Sequence, residues 1–481
     1  MKIINVFFAL FLSASAIAQS LTWGNEIIVA PGSIYGAVRP RIALDAAGEP
    51  TVIWGGSTTT QPLWAADWNG TGFATPVQLS PAGVDPYMQV WTGAEMAAGG
   101  NAIYVVFKRE PFTSNNAYLV KSTDGGQTWS DTIFIGGASS WLPSVAVTDN
   151  GNPVIVYMEL LATGEYFTIS SNDGGQTFTS PVNISSLAGT VACDCCPAYM
   201  DIEGNRQVVT WRRNSSNTRD IWMGVSNDGG ATFPTGYDID PTDWVVTSCP
   251  SVGPSPLLSG DSVITVYMSG ASGGNRVYLS TANAITGQTG TSAMIAGSIP
   301  GTTMQTYPFI AGTGDTMIVV WQQTTSGNLD VWYSWSLTGA TSLYSNAAIA
   351  NSITTNTQAY PHVVYGNGAF HLTWRDAVTN SIIYRKATIS PSSVEEQAIS
   401  PVKVYPNPSG GNITIDLSAF QNNVAPKAIG IEVKDISGRI VESRKVTGES
   451  RVELTHQAAG TYLVVVRTEE MENYVTRIVF Y

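Results

Sequence analysis

Three copies of an eight-residue signature, Ser-x-Asp-Gly-Gly-x-Thr-aromatic, stand at Ser122 to Trp129, Ser171 to Phe178 and Ser226 to Phe233, spaced 49 and 55 residues apart. Repetition at such a period confines the chain to an architecture made from one supersecondary unit used many times. Each copy has the chemistry of a tight turn. The acids Asp124, Asp173 and Asp228 can accept hydrogen bonds from backbone amides just ahead, the glycine pair supplies positive φ, and the aromatic anchors the returning strand. These three aspartates are therefore assigned a structural role.

Reading outward from the turns exposes a longer repeat, a hydrophobic strand that ends in an aromatic. Its copies end at Trp54, Phe107, Tyr157, Trp211, Tyr267, Trp321 and Trp374, with successive differences of 53, 50, 54, 56, 54 and 53. Seven units result, each with room for four short strands, as in a propeller blade. An aromatic at a fixed period is packing, so these seven belong to the core. The last unit, Pro361 to Ile389, holds only three strands. The segment Thr22 to Val29 matches the strands that follow the signature turns and is expected to complete the seventh blade, which leaves the ring without an open end.

The signature resembles the Asp-box of the sialidase and BNR-repeat propellers, which closes the hairpin between the third and fourth strands of a blade. Catalytic sialidases have six blades where this chain repeats seven times. The resemblance implies an arginine triad, a Tyr nucleophile assisted by Glu, and an acid/base Asp. Arg39, in Arg39-Pro40-Arg41-Ile42, sits where that family opens its first blade with Arg-Ile-Pro, in an altered order. Arg212 or Arg213 and Arg375 are candidates for the other two arginines, and Tyr360 for the nucleophile. The supporting acids have no clear match, with Asp67 and Glu110 as guesses. Two-carboxylate hydrolysis by Asp85 with Glu110 or Glu159 stays open.

The turn assignment also gives the propeller a polarity. With the signature turns on one face, the opposite face carries the loops between second and third strands and the crossings between blades. Six units open near a proline, preceded by Arg39, Leu142, Cys196, Cys249, Tyr307 and Tyr360. This position varies while the aromatic does not, which separates site from scaffold. Arg39, Tyr307 and Tyr360 are candidate ligand contacts. Arg109, Glu110, Arg212, Arg213 and Arg375 reach the same face, where guanidinium forks suit a carboxylate or sulfate. The alternative is that each arginine pairs with a neighbouring acid at a solvated rim. Trp91 and Trp141 lie at neighbouring crossings and could stack on sugar rings or plug the axis.

Cys193-Asp194-Cys195-Cys196 enters the fourth blade, and Cys249 enters the fifth at the position aligned with Cys196. Four cysteines in an exported chain favour disulfides, with three possible connectivities, and one long-range bridge from Cys249 to the earlier segment is expected together with one short or vicinal pair within that segment. A zinc or copper site is the competing reading. No cofactor or metal is otherwise expected, because His362 and His371 have no third histidine beside them in the propeller.

Export is read from both ends. Lys2, the apolar stretch Ile3 to Leu12 and Ala16-Ile17-Ala18 have the pattern of a signal peptide over residues 1–18, too short for a membrane anchor. Residues 19–389 form the propeller, and 390–400 read as a linker. Residues 401–481 carry Tyr405-Pro406-Asn407-Pro408, Asp435-Ile436-Ser437-Gly438-Arg439 and Gly460-Thr461-Tyr462. They resemble the type A C-terminal sorting domain of the type IX secretion system, which implies handling by that machinery and export through the periplasm to the surface or medium. Alternating apolar strands between Gly and Asn turns predict a small β-sandwich there independently.

The expected fold class is thus all-β, a seven-bladed β-propeller followed by a small β-sandwich sorting domain. A net charge of −13 argues against a nucleic-acid partner. The expected function is recognition of a glycan, with acidic sugars included, on the face opposite the signature turns. The alternatives are a sialidase-type exo-glycosidase or polysaccharide lyase, and a surface adhesin that binds protein.

Overall fold

The computed structural model describes residues 19–481 apart from 57–61, 114–115, 138, 161–163, 190, 297–302, 326, 346, 392–401, 419–427, 437, 448–450, 455–457 and 468–472. The signal-peptide segment and nearly all of the linker lie outside the described residues. The chain separates into one compact unit over Leu21–Ile389 and a second that contains Ser390–Tyr481.

Among the described residues, the first unit holds six antiparallel sheets of four successive strands and a seventh of five, the blades of a β-propeller. The first blade runs Val38–Leu44, Pro50–Gly55, Leu63–Asp67 and Val77–Gln78. In the seventh, Ile27–Ala30 pairs with Ser381–Pro391 through Ile27 to Tyr384 and Ile28 to Ile383, so the start of the chain supplies the outer strand. That closure ties the two ends of the ring together and removes two free sheet edges. The seven periodic aromatics are all 1% exposed or less, the burial expected of the residues that fill the wedge between blades.

Each signature turn is closed by its own side chains. Asp124 Oδ1 accepts from the Thr128 amide at 2.9 Å and from Ser122 Oγ at 2.7 Å, while Ser122 Oγ accepts from the Gly126 amide at 2.8 Å. Thr128 Oγ1 donates to Asp124 Oδ2, and the same set recurs around Asp173 and Asp228. Bonds from the threonine side chain, then its amide, then the serine hold the Asp124 and Asp228 carboxyls down at about 2. Gly126 has φ 97°, and a Cβ there would lie 2.2 Å from Asp67 Oδ1, so both conformation and space require glycine.

Strand register gives a common ruler for the seven inner strands. The residue paired to the one just before each periodic aromatic is Arg41, Glu95, Ser144, Tyr199, Ser255, Phe309 and His362, in blade order. Two positions earlier stand Arg39, Gly93, Leu142, Pro197, Gly253, Tyr307 and Tyr360. The register corrects the alignment of Cys249 with Cys196, since neither occupies this level. Hairpin length varies between blades, from Leu44 paired to Pro50 in the first to Glu203 paired to Arg206 in the fourth. The distance from proline to aromatic therefore does not measure register.

The second unit packs a three-stranded sheet, Lys403–Tyr405, Ile413–Asp416 and Arg451–Leu454, with a four-stranded one, Ile440–Thr447, Ala428–Asp435, Gly460–Arg467 and Asn473–Phe480. Ile413, Ile415, Ile431, Val433, Val452, Val464 and Ile478 form its core, the alternating pattern of a β-sandwich.

Candidate functional site

Four inner strands begin with the same distortion. Arg39, Leu142, Tyr307 and Tyr360 have φ between 46° and 56°, each precedes a proline, and each falls inside a register shift of its strand. A left-handed residue that is not glycine costs energy and re-aims the side chain, which is the usual use of a bulge beside a site. Antiparallel order puts these strand openings on the face opposite the first hairpin turns and the signature turns.

Side chains from different blades meet at the axis. Arg39 Nη2 donates to Glu95 Oε1 at 2.7 Å and to the Tyr199 hydroxyl at 2.8 Å, reaching from the first blade to the fourth. Arg41 Nε and Nη2 donate to the two Glu95 oxygens at 2.5 and 3.0 Å, and its guanidinium lies 4.8 Å from the Phe309 ring centre. Tyr199 donates to Glu95 Oε1 at 3.0 Å and packs edge-on to Phe309 at 5.3 Å, and His362 packs edge-on to the same ring at 4.8 Å. His362 Nδ1 accepts from the Ile42 amide, and burial followed by the Arg41 charge keeps its imidazole neutral. Gly93 leaves room for the group, because a Cβ there would lie 3.2 Å from Arg39 Cδ.

The charge count of this plug is uneven. Arg39 and Arg41 are 2% and 1% exposed and share one carboxylate, Glu95, which leaves one buried positive charge in excess. Burial alone would raise the Glu95 carboxyl, but Arg41 and Arg39 outweigh it and hold the group at about 2. Arg39 Nε is buried without a hydrogen-bond acceptor. Tyr307 and Tyr360 stand edge to face at 5.2 Å, within reach of the Arg39 charge, and Arg375 acts on the Tyr360 hydroxyl from the neighbouring strand. Arg375 Nη2 donates to Asn380 Oδ1 at 2.9 Å, and its buried Nε also lacks an acceptor. Burial raises the phenols, Tyr307 to about 12, so they are donors near neutral pH.

The sequence-derived candidates thus divide. Arg39, Tyr307, Tyr360 and Arg375 come together. Arg212 does not join them, since it is fully buried and donates to the carbonyls of Arg219 and Met268 at 2.7 and 2.6 Å. Arg213 pairs with Asp220 at 2.5 Å. Arg109 Nη2 donates to the Gly83 carbonyl, and Glu110 Oε2 accepts from the Phe112 amide. Trp141 is 3% exposed and surrounded by Phe112, Tyr87 and Trp91 at 4.6, 5.6 and 5.8 Å, so its ring faces are taken up by packing and only its neighbours are partly open. Sequence reasoning missed Glu95, Arg41 and Tyr199. The available signal was one polar residue inside each of the apolar runs Ala94 to Ala98 and Ala198 to Met200.

On the turn side of the plug lies a cavity of about 350 Å³, lined among others by Ala97, Ala146, Asp201, Leu257, Ala311 and Val364. Asp201 Oδ2 accepts from the Leu258 amide at 2.7 Å, yet burial raises its carboxyl to about 6. A raised acid binds its proton more tightly folded than unfolded, so acidification from about pH 6 towards 4 stabilises the fold and higher pH withdraws that gain. Asp201→Asn is expected to raise the melting temperature at pH 8, with the difference from wild type shrinking below pH 5. Equal differences at both pH values would contradict the assignment.

The cysteines form a separate centre. The expected long-range bridge joins Cys195 to Cys249, whereas the expected short pair does not form, since Cys193 and Cys196 are buried free thiols; the four sulfurs lie within 4.8 Å of one another.

Residues 403–480 match the family model of the secretion system C-terminal sorting domain. This domain directs the chain to the outer cell surface or the medium. No helix among the described residues is long and apolar enough to cross a membrane, and no curated protein matches the chain. Among solved structures, the chain is similar to an ulvan lyase, a polysaccharide lyase bound to -[GlcA(1-4)Rha3S]-, with a TM-score of 0.50 at 10% identity over 76% of this chain and 96% of that one. A Dyadobacter fermentans protein of unknown function gives a TM-score of 0.46 at 13% identity, over 77% of this chain and 99% of that one. A Trypanosoma rangeli sialidase in complex with the inhibitor DANA gives 0.41 at 10% identity, over 92% and 83%. At 10% identity the likeness to the lyase is one of fold alone.

Proposed function

We propose that the exported propeller recognises an acidic glycan on the face opposite its signature turns, with Arg39, Arg375, Tyr307 and Tyr360 as contacts. The observation that carries this reading is the buried positive charge in excess beneath two tyrosine hydroxyls, in a chain whose net charge is −13. An unpaired buried cation is costly and attracts an anion that can enter from that side. The cavity on the other side of the plug offers Asp201, which disfavours a carboxylate or sulfate. Recognition is favoured over hydrolysis because Glu95, the carboxylate to which Tyr199 donates, is committed to Arg39 and Arg41 and is a weak base for activating a tyrosine nucleophile. The Asp-box, signal-peptide and sialidase-like readings fit this account as the scaffold and export route of a glycan-binding protein.

Calorimetric titration with a polyuronate tests it. Wild type is expected to bind with an affinity that falls with salt, and Arg375→Gln to weaken binding about tenfold or more, as loss of a charged hydrogen bond does. Equal binding of a neutral polysaccharide, or no effect of Arg375→Gln, would contradict the reading. Unsaturated uronate products or new reducing ends would move the protein to the lyases or hydrolases.

A further inference from the structure

The four-cysteine centre has a charge problem that a disulfide does not solve. Arg212 and Arg219 are 0% and 6% exposed, and among the described residues neither has a carboxylate within ion-pair distance. Arg212 donates only to backbone carbonyls and lies over the Trp244 ring, and Asp220, next to Arg219, accepts from Arg213 through Oδ2 and makes no bond to Arg219. Arg219 Nη1 instead points at Cys193 Sγ, 3.2 Å away. Two buried guanidiniums call for about two negative charges nearby. Neutral thiols and a disulfide supply none.

We propose that the sulfurs of Cys193, Cys195, Cys196 and Cys249 bind one thiophilic closed-shell cation, Zn²⁺ or Cu⁺, as thiolates, and that the Cys195–Cys249 disulfide is the metal-free form of the same centre. The charges balance in either case. Zn²⁺ with four thiolates, or Cu⁺ with three thiolates and the fourth sulfur kept as a neutral thiol, carries −2 and meets the two guanidiniums. The spacing also fits. A tetrahedron with Zn–S bonds of about 2.3 Å has sulfur-to-sulfur edges of about 3.8 Å. Cys193 to Cys195 is 3.5 Å and Cys195 to Cys196 is 4.0 Å, while Cys193 to Cys196, at 2.9 Å, has to open. The loop is held at the required place, because the Cys193 amide donates to the Arg212 carbonyl at 2.8 Å, Trp141 Nε1 to the Asp194 carbonyl at 2.9 Å and the Tyr166 hydroxyl to the Cys196 carbonyl. Softness of the ligand set selects these ions over Mg²⁺ or Ca²⁺. No reductant is needed, since the chain is synthesised with four thiols. Binding of Zn²⁺ displaces four thiol protons, and it competes with oxidation of Cys195 and Cys249, in which the two thiols lose two protons and two electrons to an external thiol oxidant whose own disulfide is reduced.

The full chain, refolded under reductant with either Zn²⁺ or Cu⁺ and then desalted, is expected to retain one ion per chain with its cysteines blocked to alkylation. The arm that retains metal identifies the ion. Cys193→Ser with Cys196→Ser is expected to abolish stoichiometric retention. Arg219→Gln, which leaves every sulfur in place, is expected to lower affinity about 10- to 100-fold, as loss of an outer partner does, with circular dichroism confirming the fold. A folded wild-type chain that emerges with four alkylatable thiols and no metal in both arms would overturn the proposal. Equal retention by the double serine variant would overturn it as well.

Discussion

Glu95→Gln is expected to destabilise the propeller by about 3 to 5 kcal/mol, the cost of removing one partner from a buried ion pair. The substitution keeps the volume but strips the carboxylate from both Arg39 and Arg41, which have bonds to it of 2.7 and 2.5 Å. Few other single changes leave two buried guanidiniums unpaired at once. The pH dependence follows from the depressed carboxyl of about 2. A group lowered on folding stabilises above its unfolded value and loses that contribution as pH falls towards its folded one. The gap between variant and wild type should therefore be full at pH 7 and close as pH drops from about 4.5 towards 2. Urea unfolding at pH 7 and pH 3 checks both points. A loss under about 1 kcal/mol at pH 7 would show that the plug is solvated instead of buried.

In the oxidised, metal-free chain, Cys249→Ser is expected to cost about 4 kcal/mol. The estimate is the chain-entropy value for a cross-link between residues 54 apart. Its origin lies in the unfolded state, which the bond holds together between the fourth and fifth blades, so the penalty should vanish when both proteins are compared under reductant. Denaturation with and without reductant, alongside peptide mapping of Cys195 to Cys249, is the check. Equal stability of variant and wild type under oxidising conditions would contradict the bond's contribution.

The blade count, the turn chemistry and the sorting domain were legible in the sequence because each is a local rule applied repeatedly. The signature turn is closed within its own residues, from Ser122 to Thr128, and the periodic aromatics mark packing at one depth in every blade. The site was legible in part. Arg39, Tyr307 and Tyr360 stand out because a proline follows a residue that varies between blades. Glu95 and Tyr199 carry no such mark, since their meaning depends on 56- and 160-residue separations closed only by the ring. Arg212 misled for the same reason. In sequence it is one of several loop arginines, whereas its hydrogen bonds show a cation consumed by backbone carbonyls. The cysteine alignment failed because the hairpins differ in length, which spacing from a proline cannot reveal.

The proposed acidic glycan sits over the strand openings and not in the cavity beneath the plug. Amide hydrogen exchange with and without saturating polyuronate addresses it directly. Slowed exchange is expected around residues 37–39, 305–307, 358–360 and 375–380, with the turns at 122–128, 171–177 and 226–232 unchanged. Protection confined to those turns, or to the cavity strands around Ala97 and Asp201, would contradict it.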